Sequence, residues 1–296
     1  MLSNICNSDI SASLVRYNVI MDIPGRRLGR TGVDVTILGL GGEGVLRTLG
    51  QEKEAYRVIN RALDLGITYC ESARAYAGSE SYYGLALKER REEIFLASKS
   101  HARDKKGAWT HLHETLRNMK TERLDLWQVH DVRTGEEIEE IFGKGGAIEA
   151  FAEARERGLV RFIGITGHHD PLIIRKCIEL FDFDTVLLPV NPAEPHHRSF
   201  IKEVVPLAVD RGMGIVAMKV YFRGIAARIA PGKLDLFYRY ALSHPVTTAV
   251  IGCDTIGQLE ENVRFALSFT PLPEDEKEML SKQLSPIARE LMYYKP

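Results

Sequence analysis

Apolar positions along the chain fall into two alternating patterns. Short continuous runs rich in β-branched residues occupy 35–40, 67–71, 94–98, 124–129, 160–165, 185–188, 214–218 and 247–251. Strands that are apolar throughout, rather than at every second position, are buried on both faces, as in a parallel sheet covered by helices. Between them, apolar residues recur at three- and four-residue spacing over 52–65, 79–89, 108–119, 148–157, 171–180, 198–211, 234–242 and 256–266. Several of these helices carry their own stop and start signals. Gly66, Gly158 and Gly212 stand where a helix ends in a left-handed residue, and Asp170 precedes Pro171 as an N-cap.

Eight strand–helix pairs follow one another without a Pro/Ser/Gly-rich linker, which predicts a closed (β/α)8 TIM barrel in the α/β class. An open, doubly wound sheet would need a phosphate-binding glycine turn after its first strand. Gly39, Gly41, Gly42 and Gly44 do not provide it, because the third glycine falls in the wrong place. Ahead of the first barrel strand, two short runs flank Gly29-Arg30-Thr31-Gly32 and predict an N-terminal β-hairpin. After the eighth unit, 273–284 predicts an extra C-terminal helix. Residues 1–296 read as a single domain, with 1–22 as a poorly structured N-terminal extension that carries no chemistry.

Composition narrows the function. A net charge of −1 gives no electrostatic case for nucleic acid or an anionic membrane. No apolar run approaches the roughly 18 residues that span a bilayer, and the first residues lack the pattern of a signal peptide. Cys6, Cys70, Cys177 and Cys253 are too scattered for a zinc or iron–sulfur site, so cytoplasmic thiols are the expectation. The pairs His168-His169 and His196-His197 read as polar loop residues, and no metal is expected.

Chemistry enters at the strand ends. The second run ends in Glu71, the third in Lys99 and the fourth in His130, with Tyr76 five residues past Glu71. In a (β/α)8 barrel these ends share one rim, where active sites sit. A phenol has a pKa of about 10 in water, and a neighbouring ammonium lowers it. A carboxylate can hold that lysine, and a histidine can orient a substrate carbonyl. Such a group protonates a carbonyl oxygen while hydride arrives at carbon. No side chain donates hydride, so a nicotinamide cofactor is implied.

Residues 28–262 resemble the aldo-keto reductase family. Glu71-Ser72-Ala73-Arg74-Ala75-Tyr76-Ala77-Gly78-Ser79-Glu80 is similar to the family segment Asp-Thr-Ala-x-x-Tyr-Gly-x-Ser-Glu, and Lys99 and His130 end the third and fourth strands as in the family. The resemblance implies Tyr76 as proton donor, Lys99 as the group tuning it, His130 as substrate orienter and Glu71 as the lysine's partner. Glu71 replaces the family's aspartate and is longer by one methylene.

The resemblance also implies a cofactor site. After the fifth strand, Thr166-Gly167 stands where a Ser-Asn pair is usual. After the sixth, Leu187 or Leu188 replaces a glutamine. After the seventh, Met218-Lys219 replaces a stacking aromatic ring, and Lys219 is within reach of a pyrophosphate. Gly252, Cys253, Asp254, Gln258, Glu261 and Asn262 resemble the adenosine-binding loop and helix. NADPH is implied by the family. The absence there of basic residues for a 2′-phosphate, with Asp254 in place, leaves NADH open. The expected reaction is reduction of a small-molecule aldehyde or ketone. The alternatives are a Schiff-base lyase using Lys99 or Lys219, and a cofactor-binding redox-sensing subunit. The oligomeric state is not readable from the sequence.

Overall fold

The computed structural model describes residues 22–296. The expectation of an unstructured extension over 1–22 therefore lies almost wholly outside the described residues. A two-stranded antiparallel hairpin comes first, β1 (Gly25–Arg27) with β2 (Asp34–Thr36), in register Arg26 against Val35. Eight parallel strands then close on themselves: β3 (Leu38–Gly44), β4 (Tyr69–Glu71), β5 (Phe95–Ser100), β6 (Leu124–Val129), β7 (Val160–Thr166), β8 (Thr185–Pro189), β9 (Gly214–Met218) and β10 (Thr248–Cys253). Each pairs with its neighbours in sequence, and β10 returns to β3. This is the (β/α)8 barrel the periodicity predicts.

The run 35–40 is not one strand. It divides at Ile37, its first part serving the hairpin and its second the barrel. Thr36 is the cause. Its hydroxyl donates to the carbonyl of Leu38 at 2.7 Å and accepts from the N–H of Thr68 at 3.1 Å, so a side chain replaces the ladder there.

Two helices also depart from prediction. The stretch 198–211 forms Phe200–Glu203 and Val205–Asp210 separately, because Pro206 has no N–H to continue the first helix. The stretch 79–89 stops at Ala86 and continues as a 3-10 segment, Lys88–Glu93. The acidic run after His130 becomes a helix of its own, Gly135–Phe142, capped by the Thr134 hydroxyl. The predicted C-terminal helix is present as Glu274–Leu284, followed by a short helix, Ala288–Leu291.

The barrel's lower half is a packed apolar plug. Tyr69 stacks on Phe95 with ring centroids 5.6 Å apart, and Phe95 on Phe162 at 6.1 Å. Leu126 and Val216 fill the remaining interior, and Leu187 and Val250 top the plug where it meets the cavity above. Leu28, in the hairpin turn, is fully buried and seals the bottom against Gly214, where an added Cβ would lie 2.6 Å from the leucine. Gly29 beside it has φ +50°, and a Cβ there would stand 2.2 Å from the backbone nitrogen of Gly214. Only glycine permits that approach. With the bottom closed, the interior opens solely toward the C-terminal ends of the strands.

Candidate active site

At that end lies an elongated cavity of about 740 Å³, within the size range of small-molecule sites. Glu71 is the last residue of β4 and Lys99 the penultimate residue of β5; His130 follows β6 directly. Tyr76 comes from the loop after β4. All four line the cavity, so the strand register brings together the residues that the sequence singles out.

Lys99 is fully buried. Its ammonium donates to Glu71 Oε1 and to the carbonyl of Ser72, both at 2.9 Å, and lies 4.8 Å from the centre of the Tyr76 ring. The extra methylene of Glu71 therefore does not cost the ion pair. Burial alone disfavours the ammonium, but Glu71 and Tyr76 outweigh it and hold the Lys99 pKa above its ordinary value. The lysine stays charged. The other oxygen of Glu71 is buried without a partner.

The expectation of a lowered tyrosine pKa meets a correction. Burial pushes the Tyr76 phenol upward, and the pull of Lys99 in the other direction does not reverse it. Glu71 and Glu43 add to the rise, and Arg47 opposes it. Arg47 sits over the tyrosine ring at 4.9 Å. The imidazole of His130 meets the Tyr76 ring edge-on, with centroids 5.9 Å apart. Burial, then the charge of Lys99, push its pKa well below the usual histidine value, so the ring is neutral at neutral pH. A neutral imidazole donates one hydrogen bond without competing for the proton.

From this end the cavity runs toward β10. Gly42 forms part of its floor, where a Cβ would lie 2.8 Å from the Tyr76 ring. Thr166 closes β7. Its hydroxyl accepts from the N–H of Asp131 at 2.9 Å and keeps its own hydrogen to donate. Leu187 and Met218 line the adjoining wall, as do Lys219, Gly252, Asp254, Gln258, Glu261 and Asn262.

Cys253 does not reach the cavity. It is buried behind the wall with its thiol pushed up to about 12 by burial, and the Asn262 amide rests on its sulfur at 3.6 Å. At the far end two side-chain oxygens already accept hydrogen bonds within the protein. Tyr221 donates to Asn262 Oδ1 at 2.9 Å, and Gln258 Oε1 accepts from the N–H of Asp254 at 2.7 Å.

A nicotinamide dinucleotide fits this shape. The cavity is continuous from Tyr76 to Asn262, with a donor hydroxyl on Thr166, bare glycine backbone at Gly41, Gly42, Gly44 and Gly252, and apolar surface at Leu187 and Met218. Among the described residues, the polar side chains lining the far end are those of Asp254, Gln258, Glu261 and Asn262, with no cation beside them for a 2′-phosphate.

Several lining residues carry no individual signal in the sequence. Asp131 and Arg133 follow His130, and their ion pair spans 2.6 Å. His168 Nε2 stands 3.2 Å from Asp131, and Tyr294 packs edge-on against His168 at 5.5 Å. Glu43 pairs with Arg47 at 2.9 Å and with Arg223 at 3.3 Å.

Tyr294 is held in place by its neighbour. The Lys295 ammonium is buried against Glu194 at 2.7 Å and donates to the carbonyls of His197 and Arg198 at 2.9 Å. Adjacency to His130 was the only available pointer to Asp131 and Arg133. Tyr294 and Arg223 come from loops whose fold no periodicity reveals.

Among the described residues no cluster of His, Cys, Asp and Glu is arranged to hold a metal ion, and no helix is long and apolar enough to cross a membrane.

Comparison with known proteins agrees with this architecture. The sequence model of the aldo/keto reductase family matches residues 37–228. The uncharacterised oxidoreductase YqkF of Bacillus subtilis (strain 168) is 25% identical over 291 residues, covering 81% of this chain and 90% of that protein. Aldo-keto reductase AKR11C1 from Bacillus halodurans, in its holo form, superposes with a TM-score of 0.73 at 25% identity, over 88% of this chain and 96% of its own. An aldo-keto reductase from Klebsiella pneumoniae in complex with NADPH superposes at 0.71 with 20% identity, over 88% and 95% of the two chains. The matched span begins just before β3 and runs past β9, taking in Glu71, Tyr76, Lys99 and His130. With that span covering well over half its length, the chain belongs to the aldo/keto reductase family, whose members are generally NAD(P)H-dependent oxidoreductases.

Proposed function

We propose that the protein reduces an aldehyde or ketone to an alcohol, with Tyr76 as the proton donor. The observation that carries this reading is the position of Lys99. It is ion-paired to Glu71 at 2.9 Å and sits 4.8 Å from the Tyr76 ring, which neutral His130 meets edge-on at 5.9 Å. When bound, the reduced nicotinamide supplies hydride to the carbonyl carbon.

The protein's residues do the rest. His130 donates to the carbonyl oxygen and orients it. Tyr76, kept protonated by its burial, hands its proton to the same oxygen as negative charge builds there. Lys99 stabilises the phenolate left behind, and Glu71 keeps the ammonium in position. Thr166 holds the carboxamide, Met218 packs on the nicotinamide ring, and Gly252, Gln258, Glu261 and Asn262 flank the adenosine. Adenosine contact by Gln258 and Asn262 requires that they exchange part of their present hydrogen bonds.

We infer NADPH as the cofactor, the one held by the Klebsiella pneumoniae neighbour. Asp254 on the adenosine loop narrows the margin over NADH. Of the two Schiff-base candidates, Lys99 is poorly suited, since Glu71 keeps it charged and a charged amine is no nucleophile.

Replacing Tyr76 with Phe tests the reading. Oxidation of NADPH with a panel of aldehydes and ketones should fall by about 100-fold or more, while NADPH binding by fluorescence persists. Turnover in Tyr76→Phe equal to that of the unaltered protein would remove the tyrosine from the reaction. Tight cofactor binding without turnover of any carbonyl by the unaltered protein would favour the redox-sensing alternative.

A further inference from the structure

Five basic side chains line the cavity: Arg47, Lys99, Arg133, Lys219 and Arg223. Four of them are in ion pairs, with three carboxylates between them. Arg47 and Arg223 share Glu43, Lys99 has Glu71, and Arg133 has Asp131. Among the described residues Lys219 has no carboxylate within ion-pair distance. Its ammonium lies over the Tyr294 ring, 4.9 Å from the centre.

Lys219 belongs to the reacting end of the cavity rather than to the adenosine end. Tyr294, on which it rests, packs on His168, which stands 3.2 Å from Asp131, the residue after His130. With Glu43–Arg47 and Arg47 over Tyr76, these contacts line the same end of the cavity as Tyr76 and His130. The backbone favours this placement. Lys219 has φ +56°, an uncommon conformation for a side chain other than glycine, and its carbonyl is held by the Asn191 amide at 3.2 Å. Strained, non-glycine backbone at a cavity wall is a mark of functional sites.

An uncompensated cation in a partly buried cavity is costly unless a ligand completes it. We propose that Lys219 is the binding site for an anionic group on the substrate, and that the substrate is an oxo acid: an aldehyde or ketone that also carries a carboxylate. This rests on the carbonyl-reductase reading above and specifies its substrate. The same ammonium could instead meet the cofactor's pyrophosphate, so the test must separate the two anions.

Proton linkage supports the assignment. Burial, then the charges of Arg223 and Arg47 against those of Glu43 and Asp131, bring the Lys219 pKa down to about 8. His168 beside it is pushed down to about 3, chiefly by burial and then by Lys219, and stays neutral. The Tyr294 phenol is pushed up by burial and also stays neutral. An anion binds the protonated amine, so its affinity is full below that pKa and falls as pH rises through it.

The experiment compares ω-oxo carboxylates of two, four and six carbons with neutral alkanals of the same length, in the unaltered protein, Lys219→Met and Lys219→Arg. With Lys219→Met, kcat/KM for at least one oxo acid should fall at least tenfold further than for its neutral counterpart, chiefly in KM. Lys219→Arg should restore most of that difference. In the unaltered protein the preference for the oxo acid should decline above about pH 8.

Equal losses for charged and neutral substrates overturn the proposal. So does a tenfold weaker NADPH affinity by fluorescence titration with the substrate preference intact, which assigns Lys219 to the pyrophosphate. Calorimetry of the same oxo acids, and of succinate, on the NADP-loaded protein needs no turnover. Binding that depends on Lys219, in a protein that reduces no carbonyl, upholds the anion site and sinks the reductase reading. No Lys219-dependent binding, in a protein that does reduce carbonyls, does the reverse.

Discussion

The floor and the rim of this barrel are built by the same strands and are opposites in chemistry. Tyr69, Phe95, Leu126 and Phe162 fill the interior of β4 to β7 low in the barrel. A few residues further along the same strands, at the same side-chain period, stand Glu71, Lys99, His130 and Thr166. The floor is closed by apolar volume and by the contact of Leu28 with Gly214. The rim is held by a buried ion pair and by polar groups, several of which have no protein partner. Direction of facing is thus the same in both, and depth along these four strands decides whether a residue packs into the plug or lines the cavity. The floor is held by packing alone, and the rim keeps unpartnered polar groups that stability alone would not select.

Breaking the rim should give the largest effect. Lys99→Met leaves the Glu71 carboxylate buried without its cation, which costs about 3–5 kcal/mol of stability and removes the group that supports Tyr76. Chemical denaturation should show that loss, and NADPH oxidation should fall at least as far as in Tyr76→Phe. Pairing Lys99→Met with Glu71→Gln sharpens the contrast. Stability should return in part while turnover stays low. Recovery of both together would mean that the pair acts only as a structural clamp.

Breaking the floor should cost less and in a different quantity. Gly29→Ala places a Cβ against the backbone of Gly214 and forces a left-handed residue without glycine, for about 2–3 kcal/mol. Thermal unfolding should move down, while kcat/KM of the remaining folded protein at low temperature stays close to that of the parent. A specific loss of turnover in Gly29→Ala would show that floor and rim are coupled.

The smallest effect lies at the adenosine end. Asp254→Arg exchanges a repelling carboxylate for a cation beside the expected 2′-phosphate. It should raise the preference for NADPH over NADH by about tenfold, or about 1.4 kcal/mol, read from the two dissociation constants. An unchanged ratio would place the 2′-phosphate away from Asp254.

Much of this molecule was legible in the order of its residues. Continuous apolar runs separated by helical spacing specify strands buried on both faces, and eight such units leave few ways to close. Glu71, Tyr76, Lys99 and His130 were legible because each sits at or just beyond a strand end, and strand ends share one rim whatever the details of packing. The division of 35–40 was not legible, because it depends on Thr36 meeting Thr68. Nor was the tyrosine's raised pKa, since burial, not the nearby lysine, is its largest cause.

What the sequence alone determined is therefore the barrel, its hairpin and the four strand-end residues that meet in its cavity, because periodicity and strand position are local properties of the chain. Only the tertiary structure decided the rest of the cavity. Arg223 and Tyr294 arrive from loops with no period, and Tyr294 is set in place by an ion pair between Glu194 and Lys295, 101 residues apart. That Lys219 is the one lysine or arginine of the wall without an ion pair among the described residues depends on where every carboxylate around it points. Charge balance in a cavity is a sum over distant segments, and no stretch of sequence contains it.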